Sequence, residues 1–353
     1  MNATFELIKD NDEQYIIINS INQQINIKYK VVTYIGSGGA GKVYKIENNT
    51  GKFIMKISKE NTYKNIIDEV NTIINCCNKF KIKIKSMPLF YGNFINSKTT
   101  CITYPYFGYY NLDTIKSIDY IIKYDDNIVI IKQIIRQLLD LENVIHCDLK
   151  PSNIVLNFKD NITATIVDLG LLKDNISMRN IISTNYITSP ESILTLDPYY
   201  KINNTILCFA KHDYFGLFTI IINLFINNTL WDILVKYLIT DLEIEENYIV
   251  DVYFPYIFCY MWYRFNYNDK TKIQDKSLYQ LISMIENNYP LIVSKNFILF
   301  DDFFDYYIIP NINYNTINME SIDYIKVLLF DLIQFCPINR PTLREILKYL
   351  EQS

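Results

Sequence analysis

Two stretches of the chain gather residues suited to handling phosphate and protons. The first, Gly36-Ser37-Gly38-Gly39-Ala40-Gly41-Lys42-Val43, holds four of the chain's nine glycines. Glycines so close together let backbone N–H groups approach an anion that side chains would hold away. Three phosphate-handling arrangements share this spacing. A Walker A loop needs Ser or Thr after its GK pair to bind a metal, and Val43 stands there instead. A dinucleotide fingerprint must open a helix, whereas Lys42-Val43-Tyr44-Lys45-Ile46 alternates like a strand. A strand–loop–strand flap over nucleotide phosphates fits both the valine and the strand context. In that reading Ile35, Gly36, Ser37, Gly38, Gly39, Ala40, Gly41 and Val43 cover the nucleotide. The plain alternative is a flexible hairpin.

Lys56 sits inside the strand-like run Phe53-Ile54-Met55-Lys56-Ile57, where an ammonium among apolar neighbours needs a partner. The next segment, 61–78, carries Ile66, Ile67, Val70, Ile73, Ile74 and Cys77 at helical spacing. Glu69 lies in its middle as the candidate partner, with Asp68 as rival. An edge-strand lysine is the plain reading of Lys56.

The second stretch, His146-Cys147-Asp148-Leu149-Lys150-Pro151-Ser152-Asn153, resembles the catalytic loop of the eukaryotic-type protein kinases, H-R-D-L-x-x-x-N. Shorter matches follow in the family's order. Asp168-Leu169-Gly170 resembles D-F-G, and Ser189-Pro190-Glu191 resembles A-P-E. Asp213-Tyr214-Phe215-Gly216 resembles the start of the large lobe's central helix. Asn339-Arg340-Pro341-Thr342 resembles the segment whose arginine pairs with the A-P-E glutamate. Each short match is weak alone, and their order gives them weight.

The resemblance implies an α+β, bilobal fold with a small β-rich N-lobe and a larger, mainly α-helical C-lobe. It implies ATP and Mg as cofactors and a protein substrate with a Ser/Thr acceptor as partner. By position, Asp148 becomes the base that accepts the substrate hydroxyl proton. Lys150, the mark of the Ser/Thr branch, neutralises the transferring phosphate, and Lys56 with Glu69 holds the α- and β-phosphates. Asn153 and Asp168 become the metal ligands, and Thr184, seven residues before Glu191, contacts the base and the lysine. The hinge falls at Pro105-Tyr106-Phe107-Gly108, with Tyr104 behind the adenine and Tyr106 beside it.

Three positions depart from the family pattern. Cys147 replaces the loop arginine, Leu169 replaces the phenylalanine, and residues 226–323 match no motif. The last stretch is either an inserted partner surface or divergent lobe helices. A pseudokinase scaffold and a small-molecule kinase are the competing functions. The complete catalytic set opposes the first; Lys150, Ser189-Pro190-Glu191 and Arg340 oppose the second.

These residues must be carried by a β-rich first third, including hairpin text at Asn48-Asn49-Thr50-Gly51, and by amphipathic helices from about residue 111 onward. Residues 1–28 read as an N-terminal extension, 29–106 as the N-lobe and 107–353 as the C-lobe. Half the residues are hydrophobic and a fifth charged, enough for a packed core. The formal net charge of −4 argues against nucleic acid as a partner. The apolar run 252–263 is shorter than the ~20 residues of a membrane span and reads as a buried helix. Seven scattered cysteines and the absence of a signal peptide suggest reduced thiols in an intracellular, cytoplasmic protein. The crowding of Asn, Ile, Lys and Tyr matches an AT-rich coding sequence, as in a large DNA virus or an AT-rich protist.

Overall fold

A computed structural model describes the chain except residues 11–12, 21–24, 38–40, 59–62, 116–121, 142, 175–188, 197–210, 246–253, 315–316, 318 and 353. Gly38, Gly39, Ala40 and Thr184 therefore lie outside the described residues. The chain divides into two compact units. One comprises Met1–Gly108 with Thr165–Leu172, the other Tyr109–Ala164 with Lys173–Ser353.

The first unit is built on strands β1 (Asn2–Asp10), β2 (Glu13–Ser20), β3 (Ile25–Ser37), β4 (Gly41–Asn48), β5 (Gly51–Ser58), β6 (Phe90–Phe94) and β7 (Thr100–Pro105). They neighbour one another in the order β1-β2-β3-β4-β5-β7-β6. In β2 the alternation buries Ile16 and Ile18 on one face, where they meet Phe5, Tyr29, Ile46, Met55 and Phe90. Each such side chain contributes about 1.5–3 kcal/mol of burial. β1 and β2 therefore supply core residues to the same cluster as β4 and β5, and β3 runs unbroken across residues 25–37. The β4–β5 turn is closed by the Asn48 side chain, whose Oδ1 accepts from the N–H groups of Thr50 and Gly51. Helix α1 (Tyr63–Phe80) buries Ile66 and Val70 against Ile102 of β7.

The second unit contains the short strands β8 (Tyr110–Asn111), β9 (Val144–Ile145), β10 (Ile154–Asn157) and β12 (Lys173–Asp174), while β11 (Thr163–Ile166) leads back into the first. β8 pairs with β10 and β9 with β12, both antiparallel. Its helices are α2 (Tyr124–Asp140), α3 (Pro190–Leu196), α4 (Asp213–Phe225), α5 (Leu230–Lys236), α6 (Phe254–Asn266), α7 (Lys276–Asn288), α8 (Pro290–Val293), α9 (Phe300–Phe303), α10 (Met319–Leu332) and α11 (Leu343–Gln352). Every residue of α4 is buried, as expected of a central helix that is apolar on all sides. α6 packs Trp262 edge-on against Phe215 and Phe218 of α4, at 5.3 and 5.7 Å between ring centroids. The described part of the unmatched 226–323 stretch is thus helical and contributes core to this unit. Among the described residues no helix is long and apolar enough to cross a membrane.

Candidate active site

The first unit assembles a charged cluster around Lys56. The Lys56 ammonium lies 2.7 Å from Glu69 Oε2 and 3.3 Å from Asp168 Oδ1. Helical geometry decides between the two candidate carboxylates. Adjacent helix residues differ by about 100° around the axis, so Glu69 is buried toward β5 while Asp68 is exposed. Tyr104 donates its hydroxyl to Glu69 Oε1 at 2.5 Å, so the carboxylate is held from two directions. Burial, then the Glu69 charge and hydrogen bond, push the Tyr104 phenol far above its ordinary value and keep it a donor. Burial alone would lower the Lys56 pKa, but the Asp168 and Glu69 carboxylates outweigh it and the net shift is upward. Lys56 is accordingly a fixed cation.

Asp168 follows β11 and adopts left-handed backbone with φ 60°. Its carboxylate is about half exposed, with a side-chain accessibility of 48%. A Cβ added at Gly170 would come within 2.9 Å of Glu69 Cγ, so glycine here makes room for the carboxylate that holds Lys56. Of the flap residues, Ile35, Gly36 and Ser37 end β3, and Gly36 faces Val43 in the β3–β4 register. Gly41 opens β4, and Tyr106 follows β7 with the Lys45 ammonium 5.4 Å from its ring centre.

The second unit assembles the loop after β9. Lys150 Nζ stands 2.8 Å from Asp148 Oδ2, and both side chains are largely buried. The Asn153 amide donates to the Asp148 carbonyl at 2.8 Å and to its Oδ2 at 3.2 Å. The loop is fastened to α4, where Asp213 accepts the backbone N–H groups of His146 and Cys147 at 2.8 and 3.0 Å. Cys147 is left-handed at φ 66°, an unusual conformation for this residue that the surroundings must hold. A Cβ at Gly216 would fall 2.2 Å from the Leu149 carbonyl oxygen, so only glycine lets α4 approach the loop this closely.

The Glu191–Arg340 pair joins α3 to the segment before α11. Both side chains are fully buried, with two N–H···O contacts of 2.5 and 2.9 Å. Beside it lies a group that the motifs did not single out. His212 Nδ1 is 2.9 Å from Ser189 Oγ and 2.6 Å from Ser192 Oγ. His212 is one of only two histidines in the chain and immediately precedes the Asp213 motif, which was the available signal.

A divalent ion bound with a nucleotide needs one or two protein oxygen ligands and takes the rest from phosphates and water. Asp168 offers a half-exposed carboxylate. Asn153 spends its NH2 group on Asp148, which leaves its amide oxygen as a further acceptor atom. Each is by itself a hard oxygen donor of the kind Mg takes, and the described residues contain no cluster of three or more His, Cys, Asp or Glu that would form a protein-only metal cage.

The sequence model of the protein kinase domain family matches residues 29–350. Dual specificity tyrosine-phosphorylation-regulated kinase 4 of Homo sapiens is 25% identical over 195 residues, 52% of this chain and 37% of that protein. Serine/threonine-protein kinase ArnS of Sulfolobus acidocaldarius is 29% identical over 157 residues, 38% of this chain and 25% of that protein. Dual specificity protein kinase YAK1 of Saccharomyces cerevisiae is 24% identical over 207 residues, 54% of this chain and 24% of that protein. The matched stretches thus span about a quarter to two-fifths of these relatives' lengths.

Proposed function

Because the chain belongs to the protein kinase domain family, we propose that it transfers the ATP γ-phosphate to Ser/Thr hydroxyls of protein substrates. The observation that carries this reading is the Lys150 ammonium at 2.8 Å from Asp148 Oδ2, with Asn153 bonded to the same carboxylate. Asp148 accepts the proton of the attacking hydroxyl, and Asn153 holds the carboxylate in the orientation for it. Lys150 balances the negative charge that builds on the transferring phosphoryl group. Lys56, charged and positioned by Glu69, binds the α- and β-phosphates, and the flap Gly36–Gly41 covers them with backbone N–H groups. Tyr104 and Tyr106 border the adenine. Asp168 and Asn153 would hold a Mg ion, which would supply charge neutralisation to the phosphate oxygens. By its spacing from Glu191, Thr184 is assigned the family's supporting role toward Asp148 and Lys150, and the substrate would be met in an intracellular, reducing setting. None of the six cysteines among the described residues forms a disulfide.

Radiolabelled ATP with generic acceptor proteins, followed by phosphoamino-acid analysis, tests the proposal. Asp148→Asn is expected to lower kcat by about 10²–10⁴. Wild-type turnover in that variant removes Asp148 from the role of base, and phosphotyrosine as the main product removes the Ser/Thr assignment. Two relatives carry dual specificity in their names; dual acceptance here would yield phosphotyrosine beside phosphoserine and phosphothreonine.

A further inference from the structure

The N-terminal end of α4 holds the loop before Asp148 with two consecutive side chains. Asp213 takes the N–H groups of His146 and Cys147. The His212 ring hydrogen-bonds the Cys147 backbone, and its Nδ1 faces Ser189 and Ser192. The two serine hydroxyls are themselves 2.8 Å apart. His212, Ser189, Ser192 and Cys147 are all nearly inaccessible to water, so no solvent can stand in for a lost bond.

These contacts assign the hydrogens. Nδ1 is the acceptor of a serine hydroxyl, and the other ring nitrogen is the donor to the Cys147 carbonyl. A neutral imidazole meets both demands at once. Burial favours that form, since it lowers the His212 pKa; Asp213 and Glu191 oppose the shift and Arg340 adds to it. The ring therefore forms a continuous path from Ser189 and Ser192, which flank Glu191 at the start of α3, to the peptide just before Asp148. Cys147 stands at the point where that path ends, in the strained left-handed conformation already described.

We propose that His212 is a positioning residue: it ties the Cys147 backbone to Ser189 and Ser192, so that Asp148 is correctly placed only while α3 is seated. The catalytic consequence rests on the assignment of Asp148 as base, whereas the tie itself does not. A displacement of α3 would thus reach the loop before Asp148 through His212.

The test uses the full chain and a Ser189→Ala/Ser192→Ala variant, which removes two hydroxyls and leaves His212, Glu191 and Arg340 in place. Amide hydrogen exchange at residues 146–148 is expected to speed up about 3–10-fold, the loss of roughly one buried hydrogen bond. Phosphotransfer kcat is expected to fall by a similar factor with KM for ATP unchanged. His212→Gln combined with the serine changes is expected to be non-additive, because both break one path. Unchanged exchange at 146–148 overturns the inference, as does strict additivity. A wild-type protein without phosphotransfer overturns the activity reading instead, and the exchange measurement still decides the tie.

Discussion

Replacing Arg340 by alanine removes a guanidinium that is saturated on every side. It makes two contacts to Glu191 at 2.5 and 2.9 Å, donates to the carbonyls of Gln334 and Lys211 at 2.8 and 2.9 Å, and lies 4.8 Å from the centre of the Phe215 ring. An exposed ion pair would contribute no more than about 1 kcal/mol. Here both side chains have 0% exposure, so deleting one partner strands the Glu191 carboxylate without solvent or counter-charge. The expected cost is about 3–5 kcal/mol. For a unit of more than 200 residues this corresponds to a fall in melting temperature on the order of 10 °C. Thermal unfolding of wild type and Arg340→Ala, monitored by circular dichroism, measures it directly. Glu191→Gln/Arg340→Met should recover part of the loss, because removing both charges leaves neither stranded. An Arg340→Ala protein that melts with the wild type would refute the reasoning.

Gly170→Ala should push the new Cβ into Glu69, loosen the Lys56 pair and raise KM for ATP with little change in melting; an unaltered KM would show that the Lys56–Glu69 geometry has slack. Acidification should weaken the fold through His212. Its pKa is lowered by burial from 6.5, so the unfolded chain takes up the proton first; stability is full above about pH 6.5 and declines below it. Melting curves of wild type and His212→Gln between about pH 7 and pH 5 should therefore converge, and a constant gap would contradict this. Phosphatase treatment should leave activity nearly constant, because the thiol of Cys147 cannot supply the bidentate contact that an arginine offers a phosphate on the activation segment. A large loss, restored by autophosphorylation, would overturn that expectation.

The sequence determined what depends on short stretches of chain. The periods of α1, α2 and α4, the alternation of β4 and β5 and the Asn48–Gly51 hairpin follow from side-chain chemistry within one element. The loop from His146 to Asn153 was equally legible, because its residues act within a few positions of one another: Lys150 and Asn153 reach the same Asp148 carboxylate. The tertiary structure decided what depends on which faces meet. It chose Glu69 over Asp68 by burying one face of α1, and it engaged Tyr104 with that carboxylate. It carried β1 and β2 into the core of the first unit. The His212 contacts are the clearest case. A histidine beside an aspartate says nothing of the serines 20 and 23 positions earlier. Hydrogen bonds are short and directional, and across such separations only the packing of α3 against the start of α4 brings donor and acceptor within reach.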